Sequence, residues 1–229
     1  MRATRGATTP LHIHSLLPKL QRMNNHLLIT FEILLVVVSP LIFLYLKGSW
    51  PLRAIIPCVV SIPILWYPTY APLHELSHIA ATYLVGGTVV DYRLIPRFWM
   101  GEFGHAWINS DGVTQTWQQL ITSSSPYILD VLCIATGILV LRRKFSKNPF
   151  IIGLVFMLLC LRPAFDFVCE SIAFLSGDRG DFYAIQGIIG STFTWLFISL
   201  SLALSFFSVL RILRRFVGFP EALTIQSKT

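Results

Sequence analysis

Charge is what this sequence has least of. Lys, Arg, Asp and Glu together make up 13% of its 229 residues, where a soluble domain carries about 25%. That density leaves too little polar surface to coat a globule of this size in water, which excludes a soluble enzyme. Cysteine is equally sparse. Cys58, Cys133, Cys160 and Cys169 all fall inside apolar runs and form no C-x-x-C pair, so a disulfide scaffold and a zinc ribbon are excluded. They read as small core hydrophobes. No basic stripe interleaved with aromatics and no RNA-module signature is present, which argues against nucleic acid despite a net charge of +7. Internal repeats and low-complexity tracts are missing. So is a small-residue cleavage site after the basic N-terminal stretch, which therefore reads as a retained anchor.

What the sequence has instead is apolar length. Hydrophobic residues make up 54% of it and the mean hydropathy is +0.67, so lipid is the expected solvent. The basic residues flank the apolar runs: Arg2, Arg5, Lys19 and Arg22 before the first, Arg142, Arg143, Lys144 and Lys147 between two others, Arg211, Arg214 and Arg215 after the last. By the loop bias of membrane proteins these three regions face the cytoplasm. The expected chain is an all-α, multi-pass protein of the cell membrane with both termini cytoplasmic. Residues 1–25 form a basic N-terminal segment, 26–217 the membrane-embedded domain and 218–229 a tail.

About six spans are expected. The first runs from His26 to Leu46, with Glu32 near its cytoplasmic end and a kink at Pro40. Residues 54–86 form an apolar stretch too long for one crossing at about 20 residues per span, interrupted by Pro63, Pro68 and Pro72. The expectation is a short crossing up to Trp66 and a separate helix from Pro72 to Val85, ended by Gly86 and Gly87. That division supplies the even number of crossings needed to keep the N-terminus and the 142–147 loop on one side. Further spans are expected over 117–141, 149–175 and 184–210. Between Gly87 and Trp117, Thr88–Ile95 reads as a strand and Phe103–Ile108 as its hairpin partner, with Gly101 and Gly104 near the turn.

One cluster carries chemistry. Residues 74–78 read His74-Glu75-Leu76-Ser77-His78, an H-E-x-x-H pattern. Four residues is just over one helical turn, so both imidazoles project from one face and can share a metal ion, with Glu75 placed as general base towards a metal-activated water. Ionisable groups this deep in an apolar helix default to function. A catalytic zinc takes three protein ligands and keeps one position open. Candidates for the third are Asp130, Asp166, Glu170, Asp178, Asp181 and His105. Asp166 stands four residues from Arg162 and from Glu170, so a helical ion pair is its ordinary reading. Asp178 and Asp181 lie in a Gly-containing segment before the final span, where a helix would start on an acidic residue. His105 is a lone loop histidine, ordinarily polar surface.

The motif in a membrane helix, followed by Gly86-Gly87 and a hairpin, resembles the site-2 protease family of intramembrane zinc metalloproteases. Ser124-Ser125-Pro126 is similar to that family's second core element and Gly180-Asp181-Phe182 to its third. The resemblance covers roughly residues 70–210. It implies that His74 and His78 are zinc ligands, Glu75 the base and Asp181 the third ligand, with Asp178 and then Asp166 as alternatives. It departs at Ser77, where the family often has Gly, and at the extra span 149–175. The implied activity is zinc-dependent hydrolysis of a transmembrane or membrane-proximal segment of a membrane-protein substrate. The alternative is a non-proteolytic scaffold, chaperone or metal-binding membrane protein that retains the motif.

Overall fold

A computed structural model describes residues 30, 33–46, 48, 50–97, 106–142, 148–177 and 180–217. The basic N-terminal segment, Glu32, the tail from 218, Asp178 and His105 lie outside the described residues. A π-helical turn, Ile33–Val38, runs into α1, Ser39–Leu46. Pro40 lacks the N–H that the carbonyl of Val36 would need, and a π turn is a common way to re-space a helix at such a gap.

Helix α2, Leu52–Leu84, is continuous over 33 residues with Pro57, Pro63, Pro68 and Pro72 inside it. This overturns the expected division into a short crossing and a separate motif helix. In lipid no water competes for the backbone, so a proline is accommodated by local hydrogen bonds and neighbouring helices rather than by a break. At about 1.5 Å per residue the helix is about 50 Å long, one crossing with length to spare. The even count of crossings before residues 142–147 rested on the division and goes with it. Among the described residues four helices are long and apolar enough to cross a membrane: Leu52–Leu84, Thr116–Leu141, Phe150–Leu175 and Ser191–Arg211.

Helix α2 ends as glycine dictates. Gly86 takes φ +85°, its N–H donates to the Tyr83 carbonyl and that of Gly87 to Thr82, a Schellman ending. At Gly87 an added Cβ would stand 2.8 Å from Val113 Cγ2 and 3.0 Å from the Asp111 carbonyl oxygen. The hairpin can therefore fold tightly back onto the helix end. Strand β1, Thr88–Arg93, pairs antiparallel with β2, Trp107–Asp111, with Tyr92 opposite Ile108 and a bulge between Val89 and Asp91. The partner strand thus begins later than expected, and residues 98–105 lie outside the described residues. The Tyr67 hydroxyl donates to the Pro96 carbonyl, tying the chain after β1 to α2.

Helix α3 spans Thr116–Arg142. Helix α4, Pro149–Phe156, passes through a π turn, Met157–Leu161, into α5, Arg162–Leu175. The expected last span, 184–210, is divided: α6, Asp181–Ile189, stops at Gly190 (φ +84°) and α7, Ser191–Val217, follows. Two apolar clusters hold the bundle. One joins α1, α2 and α4–α5 through Leu41, Ile62, Trp66, Met157 and Phe165. The other, under the motif, joins α3, α5, α6 and α7 through Tyr127, Phe167, Phe182 and Ile198.

Candidate metal centre

Helical spacing brings the His74 and His78 rings edge to face, 4.9 Å apart, on one face of α2. Asp181, the first residue of α6, arrives from the far end of the sequence and completes a triangle. His74 Nε2 and His78 Nε2 are 3.2 Å apart, and Asp181 Oδ2 lies 3.3 Å from the first and 3.0 Å from the second. Ligand atoms held at 2.0–2.1 Å from one tetrahedral zinc stand about 3.3–3.4 Å apart, so the three fit a common metal ion. His74, His78 and Asp181 could hold one.

Each imidazole is oriented by its other nitrogen. Nδ1 of His74 donates to Asp166 Oδ2 at 2.7 Å and Nδ1 of His78 to the Thr122 carbonyl at 2.8 Å. Both hydrogen bonds select the tautomer whose Nε2 lone pair faces the triangle, the arrangement that supports metal ligation. The Thr122 acceptor has a sequence cause. Four residues on is Pro126, which has no N–H, so the helix leaves that carbonyl free for His78 and for the Ser125 hydroxyl. From the other side the Tyr127 hydroxyl donates to Asp181 Oδ2 at 3.2 Å.

Glu75 lines a cavity of about 520 Å³ together with His74, His78, Glu170 and Asp181. Its roof is β2, which contributes Trp107, Ile108 and Ser110. The carboxylate lies beside two imidazoles on a cavity with room for water, a placement that general-base chemistry needs.

The other candidates take different parts. Asp166 is within electrostatic reach of Arg162, but its hydrogen bond goes to His74, so the helical ion pair is not its main role, and it stands behind a ligand rather than at the triangle. Arg162 instead reaches across to Asp130 on α3, 2.5 Å away, with both side chains sealed (1% and 0% exposed). Glu170 accepts from the backbone N–H of Phe182 at 3.1 Å. Sequence reasoning missed Tyr127 and the Thr122 carbonyl. A tyrosine in an apolar helix next to a proline was the available signal, since a buried hydroxyl finds a partner. No protein-family model matches the chain, and no curated protein or solved structure matches it.

Proposed function

We propose that the chain is a membrane-embedded zinc metallopeptidase, a small and divergent relative of site-2 proteases, that cleaves a transmembrane or membrane-proximal segment of another protein. The observation that carries the reading is the His74–His78–Asp181 triangle at zinc-like spacing, with Glu75 on the cavity beside it. His74 and His78 would hold the ion through Nε2 and Asp181 through Oδ2. Zinc would supply Lewis-acid polarisation of the scissile carbonyl and a water of near-neutral acidity. Glu75 takes the proton from the attacking water and can return it to the departing amine. Strand β2 supports a peptide substrate in particular. It lines the cavity, and among the described residues β2 pairs with β1 alone, so an extended segment could add on its other edge as a third strand.

The test has two arms. Zinc should be present at about one per chain in detergent-purified wild type and in Glu75→Gln, and lost from His74→Ala. Membrane-protein fragments released in cells that carry wild type, identified by mass spectrometry, should disappear with Glu75→Gln. Zinc with no Glu75-dependent fragment would leave a metal-binding membrane protein and overturn the peptidase reading. No zinc in wild type would overturn the metal centre.

A further inference from the structure

The ligand Asp181 opens a helix that has no cap of its own. Gly180, the residue before α6, carries no side chain, and the helix start gains no side-chain hydrogen bond from it, although the first turn of any helix leaves backbone donors without partners. The partner comes from another helix. Glu170, on α5, accepts the Phe182 N–H through Oε1 at 3.1 Å. Its carboxylate lies flat against Gly180: a Cβ at that position would stand 2.3 Å from Glu170 Oε1, 3.0 Å from Cδ and 3.1 Å from Oε2. The φ of Gly180 is −84°, open to any residue, so an added side chain would meet no backbone strain there but would have to move the Glu170 carboxylate aside. Glu170 therefore grips α6 on both sides of the ligand, at residue 180 by contact and at residue 182 by hydrogen bond.

We propose that Glu170 is a positioning residue for the metal centre, fixing the backbone of Asp181 so that its Oδ2 meets the two imidazoles. This rests on the reading of Asp181 as a ligand. Tyr127 holds the Asp181 carboxylate by its oxygen, and Glu170 holds the chain on either side of it, at Gly180 and at the Phe182 N–H. Metal affinity would therefore depend on a residue outside the triangle. The Gly180-Asp181 pair follows from it, because any larger residue at 180 displaces the Glu170 carboxylate.

The experiment is a competitive Zn²⁺ titration against a chelator on the full chain in detergent, with thermal unfolding recorded beside it. Glu170→Ala should weaken zinc at least about tenfold, the lower range for losing an outer partner of a metal site. Glu170→Gln keeps an acceptor oxygen and should stay within about threefold, a difference below one hydrogen bond to a neutral group. Gly180→Ala should weaken zinc as Glu170→Ala does, and should add nothing in a Glu170→Ala background, since the two act through one contact. Zinc bound equally by wild type and Glu170→Ala would overturn the proposal while leaving the metal centre standing. So would additive losses in the double variant. A wild type that binds no zinc would overturn the metal centre itself, and the proposal with it.

Discussion

Among the described residues two buried ionic groups invite comparison: one lines a cavity with Glu75 and the other is sealed between helices. Asp130 and Arg162 pair across α3 and α5 with almost no exposure, and Asp130 Oδ2 and Arg162 Nε and Nη1 find no hydrogen-bond partner among the described residues. His74, His78 and Asp181 are also largely buried, yet they border the cavity with Glu75 and each has outer partners that fix its orientation. The contrast teaches that burial and charge do not distinguish a candidate metal centre from a strut. Access to a cavity and convergence of lone pairs do. Asp166 belongs to both neighbourhoods, hydrogen-bonded to His74 and within electrostatic reach of Arg162, so substitutions can test how separate the two groups are.

The largest expected effect falls on the sealed pair. Arg162→Ala leaves Asp130 as a buried charge without its cation and is expected to destabilise the fold by about 3–5 kcal/mol. Replacing both residues with apolar ones of similar size, Arg162→Met with Asp130→Leu, should recover most of that loss. Thermal unfolding in detergent, with zinc content of the folded fraction, checks both. An Arg162→Ala chain that folds normally but has lost its zinc would place the pair in the working site and erase the distinction.

The next effect falls on the open group. Glu75→Gln should lower cleavage about 10²–10⁴-fold, the ordinary contribution of a general base, with zinc content and melting temperature unchanged. A variant that unfolds would make Glu75 part of the scaffold. Third in size is Asp166→Asn, which should weaken zinc by about 10–100-fold by loosening His74. Asp181→Asn should weaken it more, since that residue belongs to the triangle itself; chelator competition gives the order, and the reverse order would exchange the two roles.

The open group was legible in the sequence to the extent that it is local. His74, Glu75 and His78 are set by one helical turn, and the Gly86-Gly87 ending and the strand after it follow from residue type. Asp181 came from its resemblance to a family element, not from any spacing to the histidines. The sealed pair was not legible. Arg162 has Asp166 one turn away and still pairs with Asp130, 32 residues distant, because helix packing and not sequence separation decides which carboxylate it meets. Glu170 looked like a candidate ligand, and only the arrival of α6 against α5 makes it a cap. The unbroken α2 was misjudged for a solvent reason: prolines that end helices in water persist in a helix whose backbone has no water to turn to.

The smallest expected effect sharpens the comparison most, because its two readouts should move in opposite directions. Pro126 stabilises no helix by itself; an interior proline removes a hydrogen bond and strains the turn before it. Its removal of one N–H leaves the Thr122 carbonyl to His78 Nδ1. Pro126→Ala restores an N–H that competes for that carbonyl, which already accepts from the Ser125 hydroxyl as well. A carbonyl has two lone pairs, so the His78 hydrogen bond should be weakened and not abolished. The expected outcome is zinc affinity reduced by up to about tenfold, the low end for an outer partner, while the melting temperature holds or rises. A fall in both would mean that Pro126 serves only packing at its buried position, and that His78 is oriented by the fold around it without help from the helix defect.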